Sequence, residues 1–201
     1  MSDVIDDPEV GIPPDTKIGD MVLTQGPPAV WHLPEDVWKP IWEEKGVTGK
    51  TIKIAILDTG MNDHVDLPDP IEAKSFISGQ SIRDGNGHGT HCAGTALGRN
   101  GLGVAPEAEL IVGKVLSNGG SGSSSGIAAG IRWGVDVGAD IISMSLGGGS
   151  SYAPTNENID YAWSKGVIVN AAAGNSGYNG RNTIGWPAKY DSCICNGATR
   201  S

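Results

Sequence analysis

Residue types able to do acid–base or nucleophilic chemistry gather in one stretch, Asp84-Gly85-Asn86-Gly87-His88-Gly89-Thr90-His91-Cys92-Ala93-Gly94. Its glycines suit a turn that brings the backbone close to a neighbour, and the change to Thr, Ala and Leu after His88 marks a helix start. His88 then stands on the first helical turn. There the positive end of the helix disfavours a protonated imidazole, which suits a neutral histidine acting as a general base. Upstream, the apolar run Ile52-Lys53-Ile54-Ala55-Ile56-Leu57 ends in Asp58-Thr59-Gly60, so a carboxylate sits at the carboxyl end of a strand. Catalytic groups of open α/β sheets gather at that edge. Taken alone, Asp58 reads as a turn carboxylate capping a strand end. His91, nearly on the same helical face as His88, is expected to be packed and hydrogen-bonded. A metal set of His88, His91 and Cys92 lacks a complete complement of ligands.

The elements that must position these residues alternate. Strands are expected at 52–57, 110–115, 141–145, 167–171 and 193–197, and helices at 88–97, 124–137 and 158–165. Ile127, Ile131 and Val135 recur at helical spacing, and Gly138 and Gly166 act as stops. Such alternation is the signature of an α/β fold with a mainly parallel, doubly wound sheet covered by helices on both faces. Before it, residues 29–44, with Trp31, Trp38 and Trp42, read as one or two short helices whose aromatics pack on the flank. Residues 1–28 are acidic and Pro-rich with little periodicity, which suggests an extended arm ahead of a domain at 29–201.

Asp58-Thr59-Gly60, then Gly87-His88-Gly89-Thr90-His91, then Ala172-Ala173-Gly174-Asn175 resemble, in order, the motifs of subtilisin-like serine proteases. Asp84-Gly85-Asn86 and Cys92 resemble the proteinase K branch. The resemblance runs from about Val47 to Ser201. It implies an α/β subtilisin-like domain in which Asp58 and His88 are the catalytic carboxylate and base, in the family's order Asp, His, Ser. Asn175 is implied as the oxyanion donor; in subtilisin, losing that donor costs about two to three orders of magnitude in turnover. Gly120-Ser121-Gly122 and Ser145-Leu146-Gly147 are implied as two backbone edges between which an extended peptide adds as a strand. Ala172-Ala173-Gly174 would line one side of a specificity pocket with room for a large apolar side chain. Asp66, in His64-Val65-Asp66-Leu67, matches a family calcium ligand. The partner loop between Ala96 and Leu102 is shorter than in subtilisins proper, which speaks against that structural calcium ion, and no cofactor is required. The family's amino-terminal folding segment is larger than residues 1–28. Gly11-Ile12-Pro13-Pro14 is either a short inhibitory extension laid across the site or part of a flexible terminus.

No serine here stands in the family's nucleophile context, G-T-S-x-A. The expectation is a serine endopeptidase whose nucleophile lies beyond residue 201 or comes from a second chain, this chain alone being inactive. The alternative is a non-catalytic peptide-binding or regulatory module on the same fold. An aspartic protease, suggested by Asp58-Thr59-Gly60 alone, would need a second such motif and a β-rich fold.

Acidic residues number 23 against 14 basic. That balance argues against nucleic-acid or anionic-membrane partners; a protein or peptide substrate is what the family resemblance implies. No signal-like start or bilayer-length apolar run is present, which favours the cytoplasm over secretion. Cys92, Cys193 and Cys195 are expected as reduced thiols, since Cys193 and Cys195 lie too close along one strand for an ordinary bridge.

Overall fold

A computed structural model describes residues 35–180 and 182–198. The expected arm at 1–28, Trp31 and the inhibitory reading of 11–14 lie outside the described residues. Six parallel strands form one sheet, β1 (Lys53–Asp58), β2 (Glu72–Ser75), β3 (Glu109–Lys114), β4 (Ile141–Met144), β5 (Ile168–Ala172) and β6 (Ile194–Asn196). They are ordered β2-β3-β1-β4-β5-β6. The helices are α1 (Glu35–Lys39), α2 (His88–Leu97), α3 (Ser124–Asp136) and α4 (Ala153–Ser164). A π-helical turn, Pro40–Glu44, follows α1.

Each strand of the sheet's centre buries both faces, so its residues divide between two cores. On one face Ile54, Ile56, Leu110 and Val112 meet Ala93 and Leu97 of α2. On the other, Ala55, Leu57, Ile111, Ile142 and Val169 meet Ile131 and Val135 of α3 and Ile159 and Ala162 of α4. The helices thus cover both faces, as the alternation predicts. Each large apolar side chain buried this way stabilises by about 1.5–3 kcal/mol. Trp38 is buried and stacks with Trp42 at 4.5 Å, and the Trp42 indole donates to the Val104 carbonyl oxygen at 3.0 Å, fixing this flank.

Two elements differ from the expectation. β2 has no apolar pattern because it is an edge strand with an exposed face, paired only to β3. α4 starts at Ala153 rather than Asn158, with Pro154 in its first turn, where a missing N–H costs nothing.

Parallel strands end together, so one rim of the sheet collects the segments after β3, β1, β4 and β5. In that spatial order they are Val115–Gly122, Asp58–Gly60, Ser145–Gly147 and Ala173–Asn175. The two expected peptide edges therefore flank the strand that ends in Asp58.

Candidate active site

Asp58 ends the central strand and is 1% exposed. The chain must turn sharply after it. Gly60 does so at φ 109°, where a Cβ would sit 2.2 Å from the Ile82 carbonyl oxygen. The first turn of α2 lies directly against this bend. A Cβ on Gly89 would come within 2.3 Å of the Gly60 carbonyl oxygen. Both motif glycines are therefore there for close backbone approach, which lets the helix carry His88 to the carboxylate.

The His88 Nδ1 is 2.8 Å from Asp58 Oδ1, an oxygen that also accepts the Thr59 N–H at 2.6 Å. Asp58 Oδ2 is buried without a hydrogen-bond partner among the described residues. Cys92, one turn along α2, places its Sγ 3.8 Å from Nδ1 and 4.0 Å from Nε2, against the imidazole. The side chain of His88 remains 27% exposed. Its proton affinity is pushed up to about 11, above all by the hydrogen bond to Asp58 and then by Cys92, against burial. The helix-end effect expected to favour a neutral imidazole is outweighed by the carboxylate.

The loop leading to His88 is held by a group that the sequence reading did not use for this. Asp84, 3% exposed, accepts five hydrogen bonds. Its Oδ1 takes the Thr59 hydroxyl at 2.9 Å and the N–H groups of Asn86 and Gly87 at 3.0 and 2.8 Å. Its Oδ2 takes the Thr90 N–H at 2.9 Å and hydroxyl at 2.7 Å. Burial raises the affinity of this carboxyl for a proton, but the bonds from Gly87, Thr90 and Thr59 together lower it below the usual value. The Thr59 hydroxyl in turn accepts the Gly89 N–H at 2.8 Å. Asp84 and Thr59 therefore lock the start of α2 onto the end of β1. The signal in sequence was an Asp opening the Gly- and Asn-rich turn Asp84-Gly85-Asn86-Gly87, where an aspartate side chain accepts from N–H groups two and three residues on.

Other sequence-derived residues distribute unevenly. His91 is exposed rather than packed, because its position on α2 faces away from the sheet. Asn175 is exposed at φ −106°, three residues past β5 and leading into a short 3-10 turn at Ser176–Asn179, so its backbone is not left-handed. Gly120 is buried and spends its N–H on the Ser117 carbonyl oxygen at 2.9 Å, while the Ser121 carbonyl accepts the Ser117 N–H at 2.8 Å. This part of the first edge is a closed turn. Gly122, Leu146 and Gly147 converge on one cavity of about 60 Å³ whose apolar lining includes Ile127, Tyr152 and Trp186. Ala172, Ala173 and Gly174 are half-buried outside that lining, and Ala173 is bonded on both sides, N–H to Asn196 O and carbonyl from Gly185 N. Ser145 directly follows β4 and is half-buried.

Two metal readings meet the geometry. Asp58, His88 and Cys92 bring ligand atoms within 4.8 Å of one another, and this group contains the hydrogen-bonded His88–Asp58 pair. The Asp66 carboxylate bonds Asn100 Nδ2 at 2.6 Å and lies 3.7 Å from His64 Nδ1, with no cluster of three such groups around it among the described residues. The three cysteines are free thiols. No helix of the described residues is long and apolar enough to cross a membrane.

The model of the subtilase family matches residues 49–201. This chain belongs to the subtilase family. A subtilisin of Bacillus licheniformis, Subtilisin DY, is 47% identical over 79% of this chain and 60% of that protein. An alkaline protease of Alkalihalobacillus alcalophilus is 42% identical over 89% of this chain and 47% of its own length. Among solved structures, Sphericase superposes with a TM-score of 0.66 at 40% identity, covering 77% of this chain and 58% of that one. The subtilase chain described here thus spans three-fifths or less of these relatives. Membership accounts for the parallel sheet with Asp58 and His88 at its rim, and it rules out the β-rich alternative.

Proposed function

We propose that these residues form the base, carboxylate and peptide-binding rim of a subtilisin-type serine endopeptidase whose nucleophilic serine comes from outside the 201 residues. The observation that carries the reading is the 2.8 Å contact between His88 Nδ1 and the buried Asp58 carboxylate, at the rim of the sheet between the two expected peptide edges. With Nδ1–H donated to Asp58, the lone pair of the second ring nitrogen, Nε2, is left to take a proton. A serine hydroxyl gives that proton to Nε2 as its oxygen bonds to the peptide carbonyl carbon. Asp58 stabilises the imidazolium that results. The carbonyl oxygen becomes an oxyanion, and the Asn175 side-chain amide is the donor assigned to it. Collapse of the adduct passes the proton from Nε2 to the leaving amine, and water then releases the acyl group by the same two steps.

The substrate is a protein or peptide bound in extended form along Gly122 and Leu146-Gly147, and the cavity between them takes an apolar side chain. Main-chain pairing gives affinity with little sequence choice, as a broad endopeptidase needs.

Labelling with a fluorophosphonate tests the reading, because the reagent reacts only with a serine activated by a base. The 201-residue chain is expected to gain no mass. The same chain joined to the serine-bearing part of a subtilase domain is expected to gain one adduct and to lose it in His88→Ala. Labelling that survives His88→Ala would overturn the assignment. Peptide binding without any adduct in the joined protein would instead support a non-catalytic peptide-binding module.

A further inference from the structure

Lys114 is the last residue of β3, in register with Asp58 on β1, and its side chain is 0% exposed. Removing an ammonium from water costs several kcal/mol unless acceptors and anions surround it. Its Nζ donates to the Thr59 carbonyl oxygen and to Asn118 Oδ1, the latter at 2.8 Å. Burial lowers the proton affinity of the amine below its ordinary value, and the fields of Asp84 and then Asp58 offset part of that. The proton transfers above use none of this.

Two observations give the cation a role in the site. Half of the Asp58 carboxylate, Oδ2, is buried and accepts no hydrogen bond among the described residues. Asn118 is also a junction. Its Oδ1 accepts the Gly85 N–H at 3.2 Å, its carbonyl oxygen accepts Asn86 Nδ2 at 3.2 Å, and its own N–H goes to Gln80 Oε1 at 3.0 Å. One residue therefore joins the turn before His88, the ammonium and the edge at 117–122.

We propose that Lys114 is a positioning residue of this site: its buried ammonium is the counter-charge of Asp58 and Asp84, and through Asn118 it ties the peptide edge to the Asp58–His88 pair. The proposal rests on that pair being base and orienting carboxylate. A cation beside Asp58 opposes the carboxylate's pull on the imidazole proton, so it keeps the base easier to deprotonate. The groups facing the imidazole are Asp58 from β1 and Cys92 from α2; those facing the ammonium are Asp84 and Asp58.

The test needs no turnover. In the 201-residue chain with 13C-labelled histidine, the His88 Cε1 resonance is followed against pH, assigned by its loss in His88→Gln. Lys114→Met removes the charge at similar length, and the His88 midpoint is expected to rise by about one pH unit, tenfold in proton affinity. Asn118→Ala, at an exposed position, keeps the charge and is expected to leave the midpoint within about 0.3 unit while speeding exchange of the Ser117 N–H. An unchanged midpoint in folded Lys114→Met overturns the proposal. Should that variant not fold, the 15N resonance of the Lys114 amine in the unaltered chain decides. A protonated amine at pH 7 is expected, and a neutral one overturns the proposal. Failure of the protease reading would look different, with these shifts intact and no fluorophosphonate adduct in the joined enzyme.

Discussion

At the scale of single residues, the site is a set of buried charges, and each makes folding and proton binding depend on one another. His88 is the clearest case. Its folded affinity lies above the ordinary 6.5, raised to about 11 by Asp58 and Cys92. A raised value means that the pair's contribution to stability is fully present below pH 6.5 and is lost as pH climbs toward 11. Denaturant unfolding of the unaltered chain and of Asp58→Asn should therefore show a stability difference that shrinks steadily across that window. A difference independent of pH would mean that Asp58 does not hold the imidazolium. The same shift implies that the neutral base needed for catalysis gains population as pH rises, so activity of a joined enzyme should climb on the alkaline side. Asp84 works in the opposite sense. Its lowered value means stability that is present above about pH 3.8 and lost as pH falls through the folded value. Asp84→Asn keeps one acceptor but turns an amide N–H₂ toward the Thr90 N–H and hydroxyl. It should cost about 2–4 kcal/mol in equilibrium unfolding, the usual penalty for orphaned buried donors.

At the scale of elements, what matters is how closely α2 seats on the bend after β1. Gly89→Ala puts a methyl 2.3 Å from a backbone oxygen that cannot move without unseating Gly60. The helix must shift, and with it His88. The expected cost is about 2–4 kcal/mol, with a weakened His88–Asp58 hydrogen bond seen as an upfield move of its downfield proton resonance. That dependence is also why α2 was legible residue for residue: the glycines, the histidine and the small residues after them are all demanded by one close contact. β1 and β3–β5 were legible because strands buried on both faces read as continuous apolar runs. β2, with Glu72 and Lys74 exposed, carries no such run and is specified only by pairing with β3. Asp84 and Lys114 escaped for a related reason. A buried charge carries no local pattern, and its role comes from partners distant in sequence. Yet Lys114, standing in the run Leu110-Ile111-Val112-Gly113-Lys114-Val115, was a visible anomaly in a strand with both faces covered.

At the scale of the whole molecule, the order of the sheet ranks its parts by protection. β1 lies between β3 and β4 with a core on each face, whereas β6 is an edge whose three residues are all exposed. Both edges are less covered than the centre: Ile71 beside β2 is 46% exposed, and Ile168, Ile194 and Trp163 towards β6 are 42%, 48% and 60% exposed. The functional residues are distributed across this gradient. Asp58 closes the best-protected strand and is anchored to β3 through the Thr59–Lys114 contact. Asn175 follows β5, next to the edge, two residues past Ala173, whose N–H donates to Asn196 and whose carbonyl oxygen accepts from Gly185. The Asp58–His88 pair is thus built on the protected centre, and Asn175, the proposed oxyanion donor, on the less protected edge. Amide hydrogen exchange should show it, with Ala55–Leu57 slowest, Ile194–Asn196 fastest, and Ala171–Ala173 between. Joining the chain to the rest of a subtilase domain should slow β6 and the Ala173 N–H by at least tenfold and leave β1 unchanged. If β6 already exchanged as slowly as β1 in this chain, something would cover that edge, and the gradient across the site would not exist.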